Sequence, residues 1–338
     1  MKPTSLACDH FSGRVSRALR AFGVAALAAP ILTSAQVPDA DKYPTQPVRF
    51  IVPYTAGGGT DVITRLVAKH MADAWNVPVI VENRVGAGGV IGSQYVTTQK
   101  PDGRTFLAVA SAFGVRSAID RTVPYDASRD FSGVGQMAIS PSFMVVSTTH
   151  GFKSLRDLIA HAKAQPAGVF YSTAGVGSTA HLHAATVAHL AGIKAEHSPQ
   201  RGTPEAVTEA MTARVLYAFA PGPNAIPLAK AGKLQILVTT SPAGARLMPG
   251  VQTIAQAGLN YEGDDWFGVL APAGTPLAIR ERVSKEMARI LALPELRERL
   301  ATLGGEPVSS GPAEFETMVR EYVARTRKFA DTIGMKVE

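Results

Sequence analysis

The chain has 338 residues, of which 46% are hydrophobic and 18% charged, and its formal net charge is +7. This is an ordinary globular composition, and the length favours two domains. The only cysteine is Cys8 and the basic residues do not cluster with aromatic ones, which excludes cysteine chemistry beyond the N-terminus and argues against a nucleic-acid partner.

The N-terminal segment is typical of an exported protein. Three arginines lie within 14–20, an apolar stretch covers 21–32, and the small residues Thr-Ser-Ala occupy 33–35. This order predicts a secretory signal peptide over 1–35 and a periplasmic location for the rest of the chain. No later stretch offers eighteen unbroken apolar residues, so we predict no membrane span.

Apolar runs of strand length alternate with helical patterns along the remaining chain, which is the pattern of an α/β fold. The first series predicts strands over 48–53, 77–82 and 105–110 and helices over 61–75 and 89–99. Two further apolar runs, 134–139 and 143–146, flank Ser140-Pro141-Ser142. They indicate that the chain leaves one sheet and enters another near residue 140.

A second α/β series follows, and the chain then returns to the first. The second series covers 155–164, 169–172, 179–191, 204–212, 215–220 and 234–239, and it is followed by the turn-rich segment 241–250. The segment 264–270 predicts the return, and helices that begin with proline are predicted over 276–291, 294–303 and 312–333. We therefore predict lobe 1 from 36–140 with 262–338, lobe 2 from 141–261, and a ligand cleft between them.

Three consecutive glycines follow the first predicted strand and precede a helix. We call residues 56–61, Ala-Gly-Gly-Gly-Thr-Asp, the first glycine loop. A helix start offers free backbone N–H groups and the positive end of the helix dipole, so this loop predicts an anion site, with Thr60 or Asp61 as the N-cap. The lysine of a nucleotide phosphate loop is missing, which excludes that reading.

The sequence predicts different roles for two other glycine-rich turns. The second glycine loop, residues 83–92, carries Ile91 where a dinucleotide fingerprint needs its third glycine, so we predict a tight packing turn. The third glycine loop, residues 172–179, again joins a strand to a helix and offers a hydroxyl cap. It predicts a second anion site that faces the first from the other lobe.

Other candidate chemistry has weaker support. His181, His183 and His189 do not predict a metal site, because no two of them are four residues apart on their helix. Ser178 lacks the flanking glycines of an esterase nucleophile. Asp264 and Asp265 are neighbours in an extended segment and point to opposite faces, so we predict a place at the hinge and cleft rim and no acid/base role.

Motifs in order along the chain carry a resemblance to a known family. They are YPTQPVR at 43–49, VP at 52–53, GGGTD at 57–61, ENRVGAGG at 82–89, PDG at 101–103, GSTAHL at 177–182, RGTP at 201–204, GKL at 232–234, WFG at 266–268 and APAGTP at 271–276. The sequence resembles the Bug family of extracytoplasmic solute receptors, the substrate-binding proteins of tripartite tricarboxylate transporters. The resemblance covers essentially the whole chain after residue 35.

The resemblance implies a periplasmic-binding-protein fold of the Venus-flytrap type II class, with two lobes, two crossover segments and an interlobe cleft. It further implies a small organic carboxylate as the ligand, delivery to membrane transporter subunits of the tripartite tricarboxylate type, no cofactor or metal, no catalysis, and a monomer. The ligand carboxylate would be held by backbone amides and hydroxyls of opposed loops.

The same resemblance assigns the site residue by residue. On lobe 1 it implies Tyr54, Ala56, Gly57, Gly58, Thr60 and Asp61, with Ser111 at the end of a strand. Opposite them it implies Ser172, Thr173, Ser178 and Thr179. Around the rim it implies Arg201, Gly202 and Asp264.

Two alternatives remain open from the sequence. The same fold could report a ligand to a membrane partner as a sensor. An exported hydrolase could instead use Ser178, His181 and an aspartate, which would require these side chains to be within hydrogen-bond reach.

Overall fold

The structure is a computed structural model that describes residues 42–302 and 304–335. The predicted signal peptide lies outside the described residues. The described residues belong to a single compact unit. None of the helices in these two ranges combines the length and the apolar character that crossing a membrane requires.

The described strands form two sheets. In chain order they are β1 (Val48–Val52), β2 (Val79–Asn83), β3 (Thr105–Ala110), β4 (Phe131–Ser140), β5 (Ser142–Val146), β6 (Val169–Thr173), β7 (Ala195–Pro199), β8 (Tyr217–Pro221), β9 (Gln235–Thr239), β10 (Gln252–Thr253), β11 (Asp265–Pro272) and β12 (Glu306–Pro307). The first sheet has the order β12-β4-β11-β3-β1-β2 and the second the order β10-β9-β5-β8-β6-β7.

Helices connect the strands and complete the C-terminal part. They are α1 (Gly59–Trp75), α2 (Val90–Thr97), α3 (Ser111–Ile119), α4 (Leu155–Lys163), α5 (Thr179–Ala191), α6 (Thr203–Met211), α7 (Gly222–Lys230), α8 (Pro242–Leu247), α9 (Leu277–Leu291), α10 (Pro294–Thr302) and α11 (Pro312–Ile333).

Both sheets combine a parallel part with an antiparallel crossover strand. In the first sheet β1 pairs in parallel with β2 and β3, while β11 is antiparallel to β3 and β4. In the second sheet β6 pairs in parallel with β7 and β8, while β5 is antiparallel to β8 and β9. The parallel strands need helical crossovers, and these place the start of each following helix at the carboxyl edge of its sheet.

The chain crosses between the sheets twice. Strand β4 ends at Ser140 in the first sheet, and β5 begins at Ser142 in the second. Strand β10 ends at Thr253 in the second sheet, and β11 begins at Asp265 in the first. The predicted α/β class with two crossover segments is confirmed.

Alternation along the strands builds a core on each face of each sheet. Phe50 and Ile51 are successive residues of β1, and they belong to hydrophobic cores on opposite faces of the first sheet. In the second sheet Phe143 and Met144 separate in the same way. Sheets covered on both faces explain why the strands read as nearly continuous apolar runs.

Some elements differ from the sequence prediction. Helix α1 begins two residues earlier than predicted, so its N-cap is Gly58 and neither Thr60 nor Asp61. Helix α3 was missed because it has no capping side chain and carries Gly114 in its middle. Strand β7 and helices α7 and α8 were also missed; α7 has a proline inside it, and α8 has only six residues in the segment predicted as turns.

Candidate ligand-binding site

Several helices begin at the carboxyl edges of the two sheets, and four of them matter for the site. Helices α1 and α3 follow β1 and β3 of the first sheet, and α5 and α6 follow β6 and β7 of the second. The two edges face each other, because Ser111 at the start of α3 and Thr179 at the start of α5 have hydroxyl oxygens 2.9 Å apart. The cleft between the lobes is therefore lined by helix N-termini.

The N-terminus of α1 carries no side-chain cap. Its N-cap, Gly58, has extended φ and ψ angles of −71° and 165°. The first hydrogen bond to the N-cap carbonyl comes from Val62, so the amides of the three residues before it have no acceptor within the helix. Gly57 adopts φ +80°, which favours glycine, and it is exposed. The first glycine loop thus presents backbone donors to the cleft.

Asp61 fixes the shape of this loop from beneath. Its carboxylate accepts hydrogen bonds from the Gly57 amide at 2.9 Å, from Asn83 Nδ2 at 2.8 Å and from Arg65 Nε at 3.0 Å. Burial alone would raise the pKa of Asp61, but the hydrogen bonds from Arg65, Gly57 and Asn83 together lower it. Asp61 is only 3% exposed, so its contribution to the site is to hold the loop.

Tyr54 joins the first glycine loop to the start of α3. Its phenol oxygen is hydrogen-bonded by the backbone of Ala110 and Phe113, and burial raises the pKa of Tyr54 above its usual range. The phenol therefore stays neutral and occupies donors at that helix N-terminus. The ring lies beside Gly89, where an added Cβ would be 3.1 Å from it.

The second glycine loop is a packing turn, as predicted. A Cβ added at Gly92 would lie 2.7 Å from the carbonyl oxygen of Arg84 and 2.8 Å from Cβ of Pro53. Only glycine allows α2 to approach so closely the residues that follow β1 and β2.

In the third glycine loop two predicted site residues turn into their own lobe. The hydroxyl of Ser172 donates to the Ala206 carbonyl at 2.7 Å, and that of Thr173 bonds His197 Nε2 at 2.6 Å. Both side chains are fully buried. The expectation that they face the first glycine loop is corrected, because the Ser172 hydroxyl is bonded to α6 and the Thr173 hydroxyl to β7 of the same lobe.

Ser178 is the N-cap of α5. Its hydroxyl accepts from the His181 amide at 3.2 Å and donates to the Gly175 carbonyl at 2.8 Å. The amides of Thr179 and Ala180 precede the first bonds within the helix and point out of its N-terminus. Ser178 thus shapes the loop, and the backbone supplies the donors.

His181 of α5 serves packing. The ring of His181 stacks on that of His197 with centroids 3.9 Å apart, and its Nδ1 accepts from the Gly177 amide at 3.4 Å. Burial, reinforced by His197, lowers the pKa of His181 to about 3. No bond joins this ring to the hydroxyl of Ser178 within the described residues, so the arrangement does not provide the base that a serine nucleophile needs.

A hydrogen-bonded chain crosses between the lobes at the starts of α3, α5 and β11. Ser111 Oγ donates to Asp265 Oδ1 at 2.8 Å, and Ser142 Oγ donates to Asp265 Oδ2 at 2.9 Å. Ser111 is the first residue of α3, which corrects the expectation that it ends a strand. The sequence did not single out Asp265 for this role, because Ser111 and Ser142 are 154 and 123 residues away from it.

The rim residues lie where the chain crosses and where α6 begins. Gly202 is the N-cap of α6 without a side-chain cap, and the exposed Arg201 uses its amide to bond Glu205 at 3.1 Å. Burial raises the pKa of Asp264, whose Oδ1 has no hydrogen-bond partner among the described residues.

Arg116 is a further interlobe residue that the sequence did not indicate. Its Nη2 donates to the Ala87 carbonyl at 3.3 Å, and its Nε lies 3.2 Å from an oxygen of Asp120. An added Cβ at Gly177 would lie 3.5 Å from its Nη1. The guanidinium therefore sits between the second glycine loop of one lobe and the third glycine loop of the other.

One family profile, described as the tripartite tricarboxylate transporter family receptor, matches residues 63–335. The chain belongs to this family. It is 29% identical over 331 residues to Protein BugT of Bordetella pertussis, an alignment that covers 96% of this chain and 99% of BugT. The resemblance to the Bug family is confirmed.

Solved structures of solute-binding proteins share the fold of this family receptor. Rpa4515 of R. palustris, solved with adipate, is 30% identical with a TM-score of 0.78, and the match covers 87% of this chain and 99% of that one. MatC from Rhodopseudomonas palustris, solved with bound malate, is 25% identical with a TM-score of 0.74, covering 85% and 99%. The two-lobe fold and the receptor function are thereby confirmed.

Proposed function

We propose that this receptor is exported to the periplasm, binds a small organic carboxylate in the cleft between its lobes, and delivers it to a membrane transporter of the tripartite tricarboxylate type. The carboxylate is held by backbone amides at the starts of α1 and α5. Its capture shifts the lobes towards a closed state that the transporter recognises.

One observation carries this proposal: each sheet has a helix whose first backbone amides lack an acceptor, and the carboxyl edges where these helices begin meet at the contact between Ser111 and Thr179. The amides that precede Val62 in α1 belong to one lobe, and those of Thr179 and Ala180 belong to the other. Each set lies at the positive end of a helix dipole, so together they favour a negatively charged ligand. The ligands named for two similar structures, adipate and malate, are carboxylates.

The site residues have distinct roles in this proposal. Backbone donors and hydroxyls facing the cleft contact the ligand, and the remaining residues shape the loops. We assign ligand contact to Ala56, Thr60, Ser111, Thr179 and Gly202. We assign support to Tyr54, Gly57, Gly58, Asp61, Ser172, Thr173, Ser178, Arg201 and Asp264. The amides of Gly57, Gly58, Ser178 and Arg201 already donate to acceptors within the protein.

The two lobes close as separate bodies in this account, with lobe 1 formed by 36–140 and 262–338 and lobe 2 by 141–261. We propose that the receptor acts as a monomer without catalysis. The hydrolase alternative loses support because the Ser178 hydroxyl is committed to the Gly175 carbonyl and the His181 ring to His197. A sensor would use the same closure, and loss of solute uptake on deletion of the gene would separate transport from sensing.

A pair of glycine variants tests where the carboxylate binds. Gly58 and Gly311 are both helix N-caps with extended backbone, with φ and ψ of −71° and 165° against −73° and 167°. Valine is tolerated by that backbone, so the two substitutions differ in their place in the fold and in what the added side chain meets. An added Cβ at Gly58 contacts the Thr55 carbonyl at 3.2 Å, and Gly311 has open space.

The assay is a thermal-shift screen of the exported protein against small carboxylates, amino acids and amides. A ligand selective for the native state raises the melting temperature. We expect a carboxylate to do so in the wild type and in Gly311→Val, and to lose its effect in Gly58→Val. If no carboxylate stabilises the wild type, or Gly58→Val still responds fully, the proposed site is wrong.

A further inference from the structure

The hydrogen-bonded chain at the meeting point of the lobes has a fixed direction. A serine or threonine hydroxyl has a single proton to donate, and an ionised carboxylate only accepts. Ser111 donates its hydroxyl proton to Asp265 Oδ1 at 2.8 Å. The 2.9 Å contact between Ser111 and Thr179 must then be donated by Thr179. Ser111 therefore presents only acceptor lone pairs to the opposite lobe.

The negative charge of Asp265 also disfavours an anionic ligand group at Ser111. The hydrogen-bond partners that the described residues give to the Asp265 carboxylate are the two neutral hydroxyls of Ser111 and Ser142. Hydroxyl dipoles orient towards a charge without cancelling it. A ligand carboxylate placed directly against Ser111 would meet electrostatic repulsion, whereas a hydroxyl or ammonium group would be attracted.

A second, independent observation is a buried side-chain nitrogen without a partner, one helical turn from Thr179. His183 lies four residues after Thr179, on the same face of α5. It is 1% exposed, its Nδ1 is 2.6 Å from the Tyr261 hydroxyl, and its Nε2 has no hydrogen-bond partner among the described residues. A buried nitrogen without a partner is costly, so a polar ligand group that reaches His183 Nε2 lowers the free energy of the complex.

We propose, on the basis of the function proposed above, that the site selects a carboxylate with a hydroxyl or ammonium group on the adjacent carbon. This group donates a hydrogen bond to Ser111 Oγ and takes the place of the Thr179 hydroxyl when the lobes part to admit the ligand. Thr179, released from Ser111, donates to the neighbouring carboxylate, which also meets the amides at the start of α5. The ligand thus offers a donor to Ser111, which accepts, and an adjacent acceptor to Thr179, which donates.

Matched ligands test the inference on the unmodified protein. Isothermal titration would compare three series, each with the unsubstituted acid, the 2-hydroxy acid, the 2-amino acid and the 2-oxo acid: the succinate, glutarate and propionate series. The 2-oxo acid is similar in size to the hydroxy acid but offers only an acceptor. Within the series that binds most tightly, we expect the hydroxy or amino member to bind about tenfold or more tightly than both the unsubstituted and the 2-oxo member.

Two variants locate the selecting group. Ser111→Ala should bring the ratio between the donor-bearing ligand and the unsubstituted acid close to one, because the acceptor is lost. Ser142→Ala removes the other hydroxyl on Asp265 without touching Ser111, and the ratio should survive. Circular dichroism would establish that each variant is folded, and the wild-type ratios decide the matter if Ser111→Ala is not.

The outcomes separate the two proposals. If no member of any series binds, the proposed carboxylate function fails, and this inference fails with it. If carboxylates bind but the unsubstituted or 2-oxo acids bind as tightly as the hydroxy and amino acids, only the inference is overturned. The same holds if Ser111→Ala keeps the wild-type ratio. A tenfold preference for only the hydroxy or only the amino acid would support the inference and identify the donor.

Discussion

Asp61→Ala removes the carboxylate that holds the first glycine loop in shape. Three donors lose their acceptor: the Gly57 amide, Asn83 Nδ2 and Arg65 Nε. Asn83 is half-buried, and leaving its donor unpaired costs about 1–3 kcal/mol. Gly57 is exposed, so water can reach its amide, and losing that hydrogen bond costs about 0.5–1.5 kcal/mol. The Arg65 side chain is 48% exposed and can turn to water, so its share is small. We expect the free energy of unfolding to fall by about 2–4 kcal/mol.

The assay is urea unfolding, with Asp73→Ala as the control on the same helix. Asp73 is exposed, and its loss should change the free energy of unfolding by no more than about 0.5 kcal/mol. Because the folded-state pKa of Asp61 is lowered, its stabilisation is present above the unfolded pKa and is lost as the pH falls through the folded pKa. A loss at neutral pH below about 1 kcal/mol, or equal to that of the control, would refute the role assigned to Asp61.

Two further predictions concern the backbone of Gly57 and the ring of His181. Gly57→Ala should lower the free energy of unfolding by about 1 kcal/mol, because φ is +80° while an added Cβ has open space; an unchanged urea midpoint would contradict that conformation. His181 must stay neutral in its stack, and its folded pKa of about 3 lies below the ordinary value of 6.5, so stability is full above pH 6.5 and falls with acidification. Between pH 6.5 and 4.5 His181 alone should lower the free energy of unfolding by about 2 kcal/mol. His181→Phe should therefore flatten the pH profile of urea unfolding by that amount. An identical profile in the variant would show that another group titrates.

Much of the fold followed from the sequence because its signals are local. Strand β1, with the sequence VRFIV, is apolar enough to be buried on both faces, and the two apolar runs around Pro141 correctly placed the first crossing. The glycines of the first glycine loop indicated a helix start with bare backbone. These features depend on neighbouring residues, so a single sequence can show them.

The missed features depend on residues far apart in the chain. Helix α3 forms because Phe113 and Val115 are buried in the core of its lobe, although local propensity opposes a helix around Gly114. Asp265 lies at the start of the second crossover strand, and it reaches Ser111 of α3 and Ser142 of the first crossover only in the folded chain. The hydroxyls of Ser172 and Thr173 likewise bond distant partners, Ala206 and His197. No local pattern of residue types reports such contacts.

The central claim is that a ligand carboxylate lies between the N-termini of α1 and α5. The most direct measurement is a crystal structure of the exported protein with the tightest-binding carboxylate of the titration series. We expect carboxylate oxygens within roughly 3 Å of backbone amides in the first and third glycine loops. A carboxylate held outside this cleft, or held only by a side chain such as Arg201 with both sets of amides unoccupied, would contradict the account.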